Sequence, residues 1–95
     1  MKSIIQDTKE CYVTGCTEGL HEHHIFYGNG VRPLSEKYGL KIWLRADFHN
    51  MSDYGIHFNK EFDLDIKQMG QKVAMEHYDL TTDDFIKIFG RNYIE

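Results

Sequence analysis

Leu20-His21-Glu22-His23-His24-Ile25 places three histidines within four positions, between a glycine-containing turn and the aromatic pair Phe26-Tyr27. The stretch reads as a β-strand. Successive side chains of a strand point to opposite faces, so His21 and His23 share one face and Glu22 and His24 the other. Adjacent histidines on such a strand can hold different tasks, one binding a metal and one moving a proton.

Working outward, Cys11-Tyr12-Val13 is β-prone and Thr14–Gly19 carries turn signals, which predicts a hairpin closing on the histidine strand. Gly28-Asn29-Gly30 breaks that strand into a loop. Pro33–Tyr38 suits a short helical turn, because proline fits a first helical position and Gly39 the residue just past the end. Leu40, Ile42 and Leu44 alternate with Lys41 and Trp43, the pattern of a second strand with one apolar face. Trp43 then lies on the opposite face, where packing under a helix is a better reading than stacking on a base. Arg45–Gly55 is polar and turn-rich and reads as a connecting loop that carries function.

From about His57 to Tyr78, the residues Phe58, Phe62, Ile66, Met69 and Val73 recur at helical spacing and predict the main helix. Thr81 and Thr82 before Asp83-Asp84 form an N-cap signature, and a short helix through Phe85–Phe89 should stop at Gly90. Residues 1–10, with only Ile4 and Ile5 as apolar anchors, read as a loosely attached lead-in or a short edge strand. The expected fold class is α+β: a single small domain over 1–95, with a hairpin, loop, strand and helix followed by a short C-terminal helix.

An apolar fraction of 41% with 14% aromatics excludes a disordered chain. No apolar run approaches the roughly 20 residues of a membrane span, and the first residues lack the apolar core of a secretory signal, so the expectation is a cytoplasmic protein without a membrane partner. The net charge of −4 weighs against holding nucleic acid by bulk charge. Its distribution weighs the other way, because residues 23–60 carry five bases against three acids, whereas 61–95 carry four against eight.

Five of the six histidines, at 21, 23, 24, 49 and 57, surround the predicted strands and loop; the sixth is His77. His23, His49 and His57 are spaced so that two strands and a loop could fold them onto one point, and three nitrogen ligands with an open position describe a catalytic metal site. Surface polarity accounts for any one of them alone but poorly for the group. A zinc-protease His-Glu-x-x-His motif is excluded, since the second histidine would fall on Ile25. Cys11 and Cys16 lack a second ligand pair for a zinc knuckle, and Cys11 reads as a small buried apolar residue.

His21-Glu22-His23-His24-Ile25-Phe26-Tyr27-Gly28, then Leu34–Lys41, His49-Asn50-Met51-Ser52 and Gly55-Ile56-His57-Phe58-Asn59, resemble the HNH (His-Me finger, ββα-metal) endonucleases, in particular the small bacteriophage-encoded type. The resemblance runs from about Cys11 to Tyr93 and implies a ββα-metal core. It implies that His23 is a metal ligand, His24 the general base that activates water, His49 a later ligand and His57 the last. In members that place the last ligand four residues after the previous one, that position is Asp53. Asn50 and Asn59 are candidates for orienting a ligand or a loop.

The chain departs from the family where structural-zinc cysteines would stand, at Thr14, Arg45 and Phe48, so no structural zinc is expected. It departs also at Leu40, where many members carry an asparagine. The function implied is hydrolysis of DNA phosphodiester bonds with one divalent cation, Mg²⁺ or Mn²⁺ first and Zn²⁺ or Ni²⁺ next, in phage DNA recombination, processing or packaging. Lys41, Arg45 and Lys60 are the candidate phosphate contacts. A homodimer would enlarge the small DNA footprint. The acidic third from Glu61 to Glu95 motivates the alternative, a catalytically degenerate HNH fold that binds a host or phage defence protein.

Overall fold

Alternation along Leu40–Leu44 organises the computed structural model, which describes residues 1–94: Leu40, Ile42 and Leu44 are at most 1% exposed. Burial of each such side chain contributes roughly 1.5–3 kcal/mol. The element order is β1 (Leu20–His24), α1 (Arg32–Tyr38), β2 (Lys41–Arg45), α2 (Ala46–His49), a 3₁₀ turn (Ile56–Phe58), α3 (Lys60–His77) and α4 (Thr82–Phe89). The fold is α+β, as the residue patterns predict.

The sheet has two antiparallel strands, and β1 pairs with β2 in a register that sets His21 opposite Leu44, Glu22 opposite Trp43, His23 opposite Ile42 and His24 opposite Lys41. One face therefore carries His21 and His23 beside the apolar side chains of β2. The other carries Glu22, His24, Lys41 and Trp43.

The predicted hairpin between Cys11–Val13 and the histidine strand does not form. Cys11 N–H donates to the Cys16 carbonyl at 2.7 Å and Gly15 N–H to the Cys11 carbonyl at 2.8 Å, which curls this segment into a turn. Gly15 and Gly19, at φ of 77° and 64°, steer the chain directly into β1. Cys11 is buried, as expected, and its sulfur accepts a hydrogen bond from Arg45 N–H.

Residues 1–10 are tied down along β2 rather than loosely attached. Ile4 N–H donates to the Gly39 carbonyl at 2.9 Å, Ser3 Oγ–H to the Lys41 carbonyl at 2.6 Å, and Trp43 N–H to Gln6 Oε1 at 2.8 Å. Trp43 is covered by this segment, with the Lys9 ammonium 4.7 Å from its ring centroid, and not by a helix.

Helix α1 forms where expected, with proline in its first turn and Gly39 as a left-handed C-cap at φ 70°. Part of the predicted loop after β2 is instead the short helix α2. Helix α3 starts later than the periodicity suggests, because Asn59 caps it: its side chain accepts from Phe62 N–H at 3.1 Å, with Glu61 and Asp63 favourably placed in the first turn. His57 and Phe58 are thereby left outside the helix, and Phe58 is 64% exposed rather than part of the apolar stripe. The face of α3 that is buried carries Ile66, Gly70, Gln71 and Ala74. Helix α4 has the expected cap, a reciprocal pair between Thr81 and Asp84, and ends at Gly90. Its Phe85 and Phe89 close the core over Phe26.

Candidate metal centre

Three elements deliver one imidazole each to a common point. His23 comes from β1, His49 from the last residue of α2 and His57 from the 3₁₀ turn, and one ring nitrogen of each lies within 4.8 Å of the others. The His49 and His57 Nε2 atoms are 3.0 Å apart, and the ring centroids of the three residues are separated by 4.7 to 5.2 Å. His23 is 1% exposed, and its Nε2 is buried without a hydrogen-bond partner. A buried imidazole nitrogen left unpaired costs about 1–3 kcal/mol. The observation fits a ligand atom, because a metal ion would complete the missing contact.

The same surroundings keep the imidazoles neutral. Burial, reinforced by His49 and His57, pushes His23 down to about 3. Burial together with His57 and His21 pushes His49 down to about 4, and burial lowers His57 as well. Neutral imidazole is the form that ligates, so no proton competes for these sites near pH 7.

Gly55 sets the approach between α2 and the 3₁₀ turn. A Cβ built there would lie 2.9 Å from the His49 carbonyl oxygen and 3.1 Å from that of Asp47. Both obstacles are backbone, so Gly55→Ala should destabilise the fold by about 1–3 kcal/mol and separate His57 from His49. Denaturant midpoints and Zn²⁺ titration check this; a variant that matched the parent in both would show that the close approach is not required.

Of the other sequence candidates, Asp53 is exposed and lies outside the converging group, which leaves His57 as its third member. Asn50 is the exposed C-cap of α2, and Asn59 is engaged as the N-cap of α3. Neither orients a ligand side chain by a hydrogen bond.

His24 stands on the opposite face of β1 from His23. It is 8% exposed, and its Nε2 lies 2.9 Å from Glu36 Oε1. Lys41 joins this second cluster at 2.9 Å from Glu36 and 3.5 Å from Glu22. The chain's amino terminus, His24 and Lys41 hold the Glu36 carboxyl well below the usual carboxylate range. Burial opposes the Lys41 charge, yet Glu36 and Glu22 hold it above the usual lysine range.

Two of the three expected phosphate contacts are otherwise occupied. Lys41 is 8% exposed and neutralised within this cluster, and Arg45 grips Asp47 with two hydrogen bonds of 2.6 and 2.8 Å. Lys60 is an exposed first residue of α3 with no ion pair among the described residues.

Position along the chain concealed three further groups. Lys67, two turns inside α3, is held by Asp63 at 2.8 Å, and its ammonium lies 4.4 Å from the Tyr27 ring centroid. The Tyr27 ring packs 4.9 Å from that of His57 and 5.8 Å from that of His23. Burial and the Asp63 carboxylate push the Tyr27 phenol up to about 12, so it remains a hydroxyl donor. The i,i+4 relation of Asp63 and Lys67 is visible in sequence, but nothing there places the pair beside the histidines.

The chain matches no protein-family model, and no match to it was found among curated proteins or solved structures. No helix among the described residues is long and apolar enough to cross a membrane.

Proposed function

We propose that the protein is a divalent-metal-dependent endonuclease of the HNH type that hydrolyses DNA phosphodiester bonds, as a phage-encoded enzyme of DNA recombination, processing or packaging. The observation that carries this reading is the convergence of His23, His49 and His57 around an unpaired, buried ring nitrogen, with His24 next in sequence. A divalent cation held by His23, His49 and His57 would supply positive charge against the negative charge that builds on a scissile phosphate. An all-imidazole donor set suits Zn²⁺ or Ni²⁺ better than Mg²⁺, which prefers oxygen ligands, so the order of candidate metals inverts relative to the family expectation.

The chain's own groups take the remaining tasks. His24 donates its Nε2–H to Glu36, which leaves the Nδ1 lone pair as the atom that would take the proton of the attacking water. Glu36, from α1, fixes that ring. The Tyr27 hydroxyl, beside the histidines, would offer a hydrogen bond to the phosphate, while Lys67, paired with Asp63, packs over the Tyr27 ring.

Nicking of supercoiled plasmid tests the reading. Relaxed product is expected with Zn²⁺, Ni²⁺, Mn²⁺ or Mg²⁺ and none in EDTA; intact plasmid under every metal would remove the nuclease assignment. One observation favours a second reading, a degenerate HNH fold that serves as a binding module or inhibitor. His24 is engaged in an ion-paired cluster on the face of β1 away from the three histidines. Absence of cleavage together with intact metal binding would select that reading, with the acidic segment from Glu61 onward as the surface for a protein partner.

A further inference from the structure

His21 has no task in the reading above, yet it stands against a ligand. It occupies the same face of β1 as His23, and its Nδ1 lies 3.1 Å from the Nδ1 of His49, with the two rings almost perpendicular at 88° and 5.2 Å between centroids. Two ring nitrogens at that distance share one hydrogen, and there are two ways to place it. If His21 carries it, neutral His49 must hold its own hydrogen on Nε2, the atom that faces His57 Nε2 at 3.0 Å, and the lone pair needed for a metal is gone. If His49 carries it, the Nε2 lone pair is free and faces His57.

Resting on the metal-site reading, we propose that His21 is a positioning residue: its Nδ1 accepts the Nδ1–H of His49, fixing the ring and the tautomer that presents His49 Nε2 to the ion. Metal-bound histidines ordinarily give their second N–H to a carboxylate, a carbonyl or water, and here a neutral imidazole receives it. The contact therefore orients His49 without adding negative charge to the centre. Strand geometry supplies the placement, because His21 and His23 are two positions apart and both project toward α2.

Zn²⁺ titration by calorimetry and the Co²⁺ absorption spectrum in the visible range read the effect without reference to DNA cleavage. His21→Leu should weaken Zn²⁺ binding about 10- to 100-fold and alter the Co²⁺ spectrum. His21→Asn, whose Oδ1 can stand where the ring Nδ1 stood, should recover most of the affinity. In the unaltered protein loaded with Zn²⁺, ring ¹⁵N spectra should show hydrogen on Nδ1 of His49 and on Nε2 of His21. Unchanged affinity in His21→Leu, or hydrogen on Nδ1 of His21 in the loaded protein, would overturn the proposal. Failure of the parent protein to bind Zn²⁺ or Co²⁺ at all would instead remove the metal site itself, and this role with it.

Discussion

His24→Ala should lower the rate of plasmid nicking by a factor of about 10² to 10⁴, the usual worth of a positioned proton acceptor, while Zn²⁺ affinity stays within a few-fold of the parent value. The asymmetry follows from the strand. His24 projects away from His23, and its hydrogen bond runs to Glu36, so its removal takes no ligand from the converging histidines. It does leave Glu36 and Lys41 to each other, an ion pair at 2.9 Å that satisfies both. The fold should therefore hold, with the denaturant midpoint lowered by the loss of one buried, hydrogen-bonded side chain, about 1–3 kcal/mol. Nicking by His24→Ala at the parental rate would place the proton acceptor elsewhere and sever His24 from the chemistry.

His23→Leu should do the reverse, abolishing high-affinity metal binding while making the metal-free protein more stable. His23 is 1% exposed and its Nε2 has no partner, so an apolar side chain of comparable size recovers the desolvation cost, about 1–3 kcal/mol. Acid sensitivity should fall with it. The folded-state pKa of His23 is depressed to about 3, against roughly 6.5 for an unfolded histidine. Between those values the unfolded chain binds a proton that the folded chain does not, so the stability present at neutral pH is lost as pH falls. Each pH unit inside the window removes up to about 1.4 kcal/mol for this residue. Denaturation midpoints measured between pH 4 and 7.5 should slope less steeply in His23→Leu than in the parent. Equal slopes would mean that His23 is not the group withheld from protonation.

The strand that carries the histidines and the strand Leu40–Leu44 were legible because alternation is a local property that burial on one face enforces. The helix caps at Gly39, Thr81 and Gly90 were legible for the same reason, since a cap is chosen by two or three neighbouring residues. Pairing was not. Cys11–Val13 has the composition of a strand, but its edge partner was decided by the turn at Gly15–Gly19 and by competition from β2, which offers β1 a longer apolar partner. Phe58 continues the apolar period, but the Asn59 cap, a single hydrogen bond, moves the start of α3 past it.

For the site, the grouping of His23 and His49 with His57 rather than Asp53 was a choice that spacing alone left open. The geometry brings the three histidines together and leaves Asp53 at the surface. The occupied state of Lys41 and Arg45 and the proximity of Lys67 depend on contacts between elements, which no local pattern reports. Glu36 is the instructive case. It lies twelve residues from His24, on a helix whose only sequence signature is structural, and is brought to the histidine by the antiparallel return of the chain.

The three converging histidines come from segments separated by 26 and then 8 residues. A cation held by all three ties the edge of a two-stranded sheet to a four-residue helix and a single 3₁₀ turn, elements too short to hold their conformations alone. A ligand bound only by the folded form, at one hundred times its dissociation constant, adds about 2.7 kcal/mol. The ion would thus act as a removable crosslink, and metal supply would govern the lifetime of the folded protein as well as its chemistry.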